Sequence, residues 1–568
     1  MFDNPQQRLG ATYVENDGVY IRLWAPFRKN VRIIWNEAAA QPLTPDQDGY
    51  FTGYFPDAKP GDRYIFIEGN QRFADPASRF QPEGVFGPSC VVKQDYEWSD
   101  EKWQGIPFSE WVIYEIHVGT FTASHDFKGV IDDLPRLKEL GITTLEIMPV
   151  SQYSGDRNWG YDGVFPHAVQ DSYGGPEGFK ALINAAHALG MAVILDVVYN
   201  HIGPEGNALF SCGPYTQTKY STPWGNALNF DGDHNHHVRR YFLQSAWQWL
   251  TEYHLDGLRL DAIQTILDTS PVPFLEDLTQ LKRAAEEKTG RPLILIAETD
   301  ANDSRALAAP ENNGLGLDAQ WADDLHHALH AILTGERNGY YADYGDLRQL
   351  ARIYERGVAY EGEFSISRNR PHGRNYHGID RKRLIVETQN HDQTGNRLKG
   401  ERLTMLLPPD KLKLAAAAVL LSPFTPFIFM GEEFASEKPF LFFTSHHDEE
   451  LNKKIRESRA KEWESFGWTE SPADPSQPDT FNQCVLTDKN PESGVAMQDY
   501  YRTLIALSKQ LRQSGCNVSF LEDQSCIILD YPDVEKTVIL NFSENPQIVG
   551  ASGQIQPFSA SILERSAA

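Results

Sequence analysis

The chain is poor in cysteine, short of positive charge and without a long apolar run. Its 568 residues include five cysteines, Cys90, Cys212, Cys484, Cys516 and Cys526. The odd count and the lack of metal-ligand spacing argue against a disulfide scaffold and against a zinc site, and fit reduced thiols in the cytoplasm. Lys and Arg number 52 against 78 Asp and Glu, a net charge of −26. Phosphate binding needs clustered cations, so nucleic acid is disfavoured as a partner, as is an anionic membrane surface. No apolar run approaches the roughly 18 residues that span a bilayer. The opening Met1-Phe-Asp-Asn-Pro-Gln-Gln-Arg8 lacks the basic-then-apolar pattern of a secretory signal. There is also no His-Glu-x-x-His, no phosphate-cradling Gly-rich loop after a strand and no Gly-x-Ser-x-Gly elbow. Zinc-protease, kinase and serine-hydrolase readings therefore have no support.

What is abundant is aromatic: 12 Trp, 24 Tyr and 30 Phe, or 12% of the chain. Packed cores account for most such rings. Sugar-binding clefts use others, because an aromatic face matches the apolar C–H face of a pyranose. A hydrophobic content of 41% can bury a sizeable core, and the length predicts several domains or one large barrel with appendages.

Residues 1–105 read as an N-terminal β-sandwich, with strand-like runs at Val19–Trp24, Val31–Trp35, Tyr50–Phe55 and Tyr64–Glu68 between Gly, Pro, Asp and Asn turns. At Trp111 the pattern changes. Apolar runs follow at Trp111–Val118, Thr143–Val150, Met191–Val198, Gly257–Leu260, Leu293–Ala297, Asp318–Trp321, Leu384–Thr388 and Pro426–Met430. Amphipathic stretches such as Val130–Leu140, Pro176–Leu189 and Val238–Tyr253 lie between them. Continuous apolar strands joined by crossover helices indicate a parallel sheet buried on both faces. Eight of them predict an α/β fold, a (β/α)8 (TIM) barrel over residues 106–490, with excursions at 202–230 and 335–383. After the Pro- and Asp-rich Ser471–Thr480, residues 491–568 read as a helix near Tyr501–Leu511 and a small β-domain with strands at Cys526–Tyr531 and Thr537–Phe542.

Active sites of such barrels lie at the C-terminal ends of the strands, and there this chain turns polar. The fourth strand runs Leu258-Arg259-Leu260-Asp261. With a side-chain period of two, Arg259 and Asp261 share one face, and a guanidinium beside a carboxylate favours its ionised form, as a nucleophile requires. The fifth strand ends Leu295-Ile296-Ala297-Glu298. A carboxylate after so apolar a run should be poorly hydrated and hold a proton near neutral pH, as a general acid must. The seventh ends Gln389-Asn390-His391-Asp392, whose carboxylate and imidazole could bind sugar hydroxyls and stabilise positive charge at an anomeric carbon. The third ends Asp196-Val-Val-Tyr-Asn-His201: Asp196 lies deeper and reads as structural, and His201 is placed to bind a hydroxyl. Trp159-Gly-Tyr161-Asp162, after the second strand, adds a ring that could stack on the same sugar. Taken singly, each segment has a plainer reading: an ion pair for Arg259–Asp261, a cap or rim residue for Glu298, a satisfied polar residue for His201. Asp231-Gly-Asp-His-Asn-His-His237 is rich in metal-binding side chains and reads as a solvated loop.

In this order the segments match the conserved regions of the α-amylase (glycoside hydrolase 13) superfamily. The longer text resembles the maltooligosyltrehalose trehalohydrolase family within it. It includes Asp196–Asn207, Thr222-Pro-Trp-Gly225, Asp318–Asp324, Leu333-Thr-Gly-Glu-Arg-Asn-Gly-Tyr-Tyr-Ala-Asp-Tyr-Gly345 and Phe429-Met-Gly-Glu-Glu433. The likeness runs from about Leu9 to Trp468, and the N-terminal sandwich is similar to that of isoamylases and branching enzymes. It implies Asp261 as nucleophile, Glu298 as general acid/base and Asp392 as transition-state stabiliser, with Tyr161, His201, Arg259, His391 and Arg368 around the substrate. It further implies retaining cleavage of the α-1,4 bond next to a terminal α,α-trehalose on a glucan chain, without cofactor or metal. The implied metabolic partner is a maltooligosyltrehalose synthase. The double displacement predicts nucleophile and acid carboxyls roughly 5–5.5 Å apart. Two positions depart from the pattern: Gln264 stands where relatives often have His, and Ser367 where they often have an aromatic before the arginine. A glycogen branching or debranching enzyme, and a non-catalytic glucan-binding barrel, are the alternative readings.

Overall fold

The computed structural model describes residues 2–465, 472–489, 492–550 and 553–564. Eight parallel strands close into a barrel. They are β1 (Ile113–Ile116), β2 (Thr144–Ile147), β3 (Ala192–Val197), β4 (Gly257–Leu260), β5 (Ile294–Ala297), β6 (Ala319–Trp321), β7 (Leu384–Val386) and β8 (Thr425–Phe429). Each pairs with the next and β8 returns to β1, with Leu260 opposite Ala297 and Asp196 opposite Arg259. Every expected apolar run holds its strand, most of them shorter by a few residues, because the same apolar character continues into the buried connections.

The two-residue period sorts the strand residues. Tyr114, Leu145, Leu195, Leu258, Leu295 and Val386 face outward into the main core under the helices. Their neighbours Ile113, Ile194, Ile296, Trp321, Ile385 and Phe427 form a separate cluster. Alternate positions from these strands can meet only inside the barrel. Two residues further along the same faces stand Glu115, Asp196, Glu298 and Glu387. The interior is thus apolar at its lower end and ionisable at its upper end, a consequence of strand periodicity alone.

The helices pack outside. Asp126 caps Phe127–Leu140 by accepting from the Gly129 N–H at 2.9 Å, and Gly141 ends that helix at φ +105°, its N–H on Lys138 O. The left-handed turn at Gly141 feeds the chain straight into β2. In the excursion after β3 a hairpin forms, Thr216–Thr222 with Gly225–Leu228. The one after β6 holds a helix, Leu347–Arg356, and a hairpin, Glu361–Ser365 with Arg370–Gly373.

Two antiparallel sheets precede the barrel, one built on Gly10–Val14, Gly18–Trp24 and Tyr50–Phe55, the other on Arg32–Trp35 and Arg63–Glu68. They dock through Gln244 on the Asn235–Thr251 helix, which bonds both the N–H and the C=O of Leu9. A final sheet joins Asn517–Leu521, Cys526–Tyr531, Lys536–Asn541 and Ser559–Glu564.

The segment expected to be a solvated loop, Asp231–His237, is only partly so. His234 and His236 are exposed. Asp231, however, accepts from Gln217, Lys219 and Thr269, and His237 is buried against Trp24 and Tyr50. The helix expected near Tyr501–Leu511 starts earlier, at Glu492. Its first turns contain Ser493 and Gly494, weak helix formers, and tertiary contacts hold the helix, including the Tyr501 hydroxyl on Glu432 at 2.6 Å. Ser471, at the head of the Pro- and Asp-rich segment, lies outside the described residues, as does Trp468. No helix among the described residues is long and apolar enough to cross a membrane.

Candidate active site

Closure of the barrel brings the three carboxylates to one end of it. Asp261 directly follows β4 and Glu298 directly follows β5. Asp392 sits in the first turn of a short helix, His391–Gly395, that follows β7. Asn390 caps that helix, accepting from the Gln393 N–H while the Gln393 side chain returns to the Asn390 N–H. The reciprocal cap fixes the direction in which His391 and Asp392 leave the strand.

One fully buried guanidinium organises the centre. Arg259 Nη1 donates to both oxygens of Asp196 at 2.9 Å and to Asp261 Oδ1 at 2.8 Å, while Nη2 stands 3.6 Å from Glu298 Oε2. Its flat face lies 4.4 Å from the Trp321 ring. Asp196 also accepts the Tyr161 hydroxyl at 2.6 Å. It is a buried support, as its depth in β3 suggested. Asn200 donates to the second oxygen of Asp261 at 3.0 Å.

Glu298 is held differently. Its Oε2 accepts the Ala262 N–H at 2.5 Å. Ala262 adopts φ +40°, ψ +54°, a left-handed conformation costly for a residue with a Cβ. The strain sits next to Asp261 and aims this N–H at Glu298. Burial and the charges of Asp261 and Asp392 push the Glu298 carboxyl up to about 8, against the opposing pull of Arg259 and the Ala262 N–H. With Oε2 accepting the Ala262 N–H and facing Arg259, Oε1 is the oxygen left to carry the proton.

His391 is fully buried. Its Nδ1 lies 2.5 Å from Glu115 Oε1 and its Nε2 2.8 Å from the Tyr161 hydroxyl and 3.5 Å from Asp392. Burial opposes a charged ring, yet Glu115 and Asp392 outweigh it and raise the pKa to about 9. The Tyr161 ring stacks on His391 with centroids 5.3 Å apart. Trp159, from the same segment, is buried behind it against Phe440. His201 reaches the Tyr161 carbonyl through Nε2 at 2.9 Å and Asn200 through Nδ1 at 3.1 Å, and lies flat on Trp224. Both of its ring nitrogens are engaged within the protein, so it supports the tyrosine rather than offering a free donor.

A cavity of about 550 Å3 opens over this centre, within the usual range for small-ligand sites. Glu298, Asp392, Asp323, Tyr340 and Arg368 line it; Asp261 stands behind, joined to it through Arg259 and Ala262. Arg368 is placed by Asp343, which accepts from the Ser365 and Ser367 hydroxyls and from the N–H groups of Ile366 and Ser367. The serine at 367 thus anchors its loop, and Gln264 is exposed. A larger cleft of about 620 Å3, between the Leu347–Arg356 helix and Phe520, holds none of the three carboxylates.

Sequence reasoning missed four carboxyls around this centre: Glu115, Glu146 and Glu387, which are buried, and Asp323, which is half-buried at the cavity wall. The signal was present for three of them, a charged residue inside an apolar strand run, as in Tyr114-Glu-Ile116 and Leu145-Glu-Ile147. Among the described residues no group of His, Cys, Asp and Glu is arranged to hold a metal ion.

The catalytic-domain family of alpha amylases matches residues 96–220. A malto-oligosyltrehalose trehalohydrolase from Saccharolobus solfataricus is 44% identical over 88% of this chain and 86% of its own length. One from Mycobacterium tuberculosis is 38% identical over 94% of both. A crystal structure from Salmonella typhimurium, provisionally named as an alpha amylase, superposes with a TM-score of 0.91 at 36% identity, covering 98% of this chain and 99% of that one. The chain belongs to the malto-oligosyltrehalose trehalohydrolase family of the α-amylase superfamily.

Proposed function

We propose that this glycosidase hydrolyses the α-1,4 bond next to the terminal α,α-trehalose of maltooligosyl trehalose, with retention, and releases trehalose. The observation that carries the reading is the single guanidinium of Arg259, 2.8 Å from Asp261 and 3.6 Å from Glu298, the first an ion-paired carboxylate and the second a carboxyl whose pKa burial raises. Two carboxyls with environments this different suit a nucleophile and an acid.

Asp261 attacks the anomeric carbon as Glu298 passes its Oε1 proton to the departing oxygen. Asp392 hydrogen-bonds ring hydroxyls and stabilises the cationic transition state. Glu298, now ionised beside Arg259, takes a proton from a water whose oxygen attacks the anomeric carbon, breaking its bond to Asp261 and releasing the sugar. Tyr161 forms the floor under the sugar, with His391 and His201 behind it. Trehalose leaves through the cavity past Arg368. The glucan and its trehalosyl end are the ligands, a synthase that builds that end acts upstream, and the reaction takes place in the cytoplasm. Residues 1–105, 106–490 and 491–568 act as sandwich, catalytic barrel and closing domain.

The test is product analysis on maltooligosyl trehalose, with the anomer followed by NMR, beside a parallel incubation with glycogen. Free trehalose and an α-configured fragment from the first substrate are expected. Branching or debranching of glycogen with no trehalose released, or a β-configured fragment, would overturn the reading.

A further inference from the structure

The hydrogen-bond directions around His391 reach further. Tyr161 donates its one hydroxyl proton to Asp196, an acceptor already held by Arg259. The Tyr161 oxygen 2.8 Å from Nε2 must then accept, so Nε2 carries a proton. On the other side of the ring, Nδ1 faces Glu115 Oε1, and the second oxygen of Glu115 accepts the His391 N–H at 3.1 Å. The carboxylate acts as acceptor to both, so Nδ1 is protonated too.

We propose that Glu115, on β1, is a positioning residue that holds His391 as a doubly protonated imidazolium, fixing the Tyr161 hydroxyl and setting a positive charge beside Asp392. His391 donates to Tyr161 and Tyr161 to Asp196, where Arg259 donates from the other side and also to Asp261, so the network links the imidazole to the nucleophile. It deepens the proposed function, since it rests on Asp261, Glu298 and Asp392 being the catalytic carboxyls. The charged groups facing the ring come from several elements: Glu115 from β1, Asp196 from β3, Arg259 from β4 and Asp392 beside it; His117, after β1, is a further imidazole. Among the described residues, Glu115 is the one carboxylate bonded to both the imidazole and the backbone nitrogen of His391.

In Glu115→Gln, burial acts on the imidazole with its strongest counter-charge gone, and His391 loses its second proton below neutral pH. With maltooligosyl trehalose, kcat is expected to stay within about 3-fold of the unmodified enzyme at pH 5.5 and to fall by about 10-fold or more at pH 8. The alkaline limb should move down by at least about one unit, and Glu115→Asp should restore it. An alkaline limb that stays in place, or an equal loss at every pH, would overturn the proposal. The protonation itself is read on the unmodified protein labelled with 15N-histidine, with His391 assigned by difference from His391→Asn. Both ring nitrogens protonated at pH 7.5 are expected, and one bare nitrogen ends the case whether or not the Gln variant folds. An Asp261→Asn variant that retained turnover would instead remove the catalytic reading on which this one stands.

Discussion

Glu298 keeps its proton because three influences outweigh two. Burial and two neighbouring carboxylates disfavour the charge, while Arg259 and the Ala262 N–H favour it. An acid with a pKa of about 8 is protonated throughout the neutral range. The kcat/KM profile should therefore fall as pH rises through about 8, a limb that a steady-state series from pH 5 to 9.5 will locate. Glu298→Gln keeps the shape and removes the transferable proton, and kcat should drop by roughly 10²- to 10⁴-fold with little change in KM. Gln264 and Ser367 do not touch these groups. One is exposed and the other bonds Asp343, so both leave the bond-breaking centre intact.

At the scale of the element, the site depends on two short pieces that propensity alone would not hold in place. The five-residue helix His391–Gly395 is too short to be stable by itself, and the Asn390 capping box sets its start. Asn390→Ala should cost about 1 kcal/mol of stability in denaturant titration. Because His391 and Asp392 turn with the helix, kcat should fall by more than that loss explains. The Phe364–Arg368 loop hangs on four hydrogen bonds to Asp343. Asp343→Ala should free Arg368 and raise KM for maltooligosyl trehalose by roughly 10-fold, with kcat less affected, because the proposed chemistry lies at Glu298 and Asp261. Unchanged KM in that variant would remove the loop from the leaving-group side.

Across the whole molecule, buried titratable groups pull stability in opposite directions. Burial, above all, raises Asp196 to about 6, Glu387 and Glu432 to about 7 and Glu298 to about 8. Raised carboxyls stabilise the fold at low pH, and that stability is lost as pH climbs from the unfolded values near 4.5 through the folded ones. His117, lowered by burial to about 4, and His167 and His327, lowered to about 3, do the reverse. They cost stability as pH falls below about 6.5. Above that pH the carboxyl effect persists, joined by His391, His187 and His446, whose raised values make their stabilisation fade as pH climbs from about 6.5. Arg8, lowered to about 8, opposes them. Calorimetry should find Tm highest near pH 6–6.5 and falling steadily to pH 9, the folded state there binding more protons than the unfolded one. A Tm that rises between pH 7 and 9 would mean that these carboxyls are ionised in the fold.

Much of this was written locally. Alternation in Leu258-Arg-Leu-Asp261 and Leu295-Ile-Ala-Glu298 sends Leu258, Leu260, Leu295 and Ala297 into the outer core and the charged residues inward, whatever the rest of the chain does. The eight apolar runs name the barrel because each must be covered on both faces. What local pattern could not decide is who meets whom. Glu115 and His391 are 276 positions apart, and only the return of β8 to β1 brings β1 beside the end of β7. The proton on Glu298, the shared guanidinium of Arg259 and the charge on His391 are properties of distance and burial. They exist only after the barrel has closed and water has been driven from its upper end.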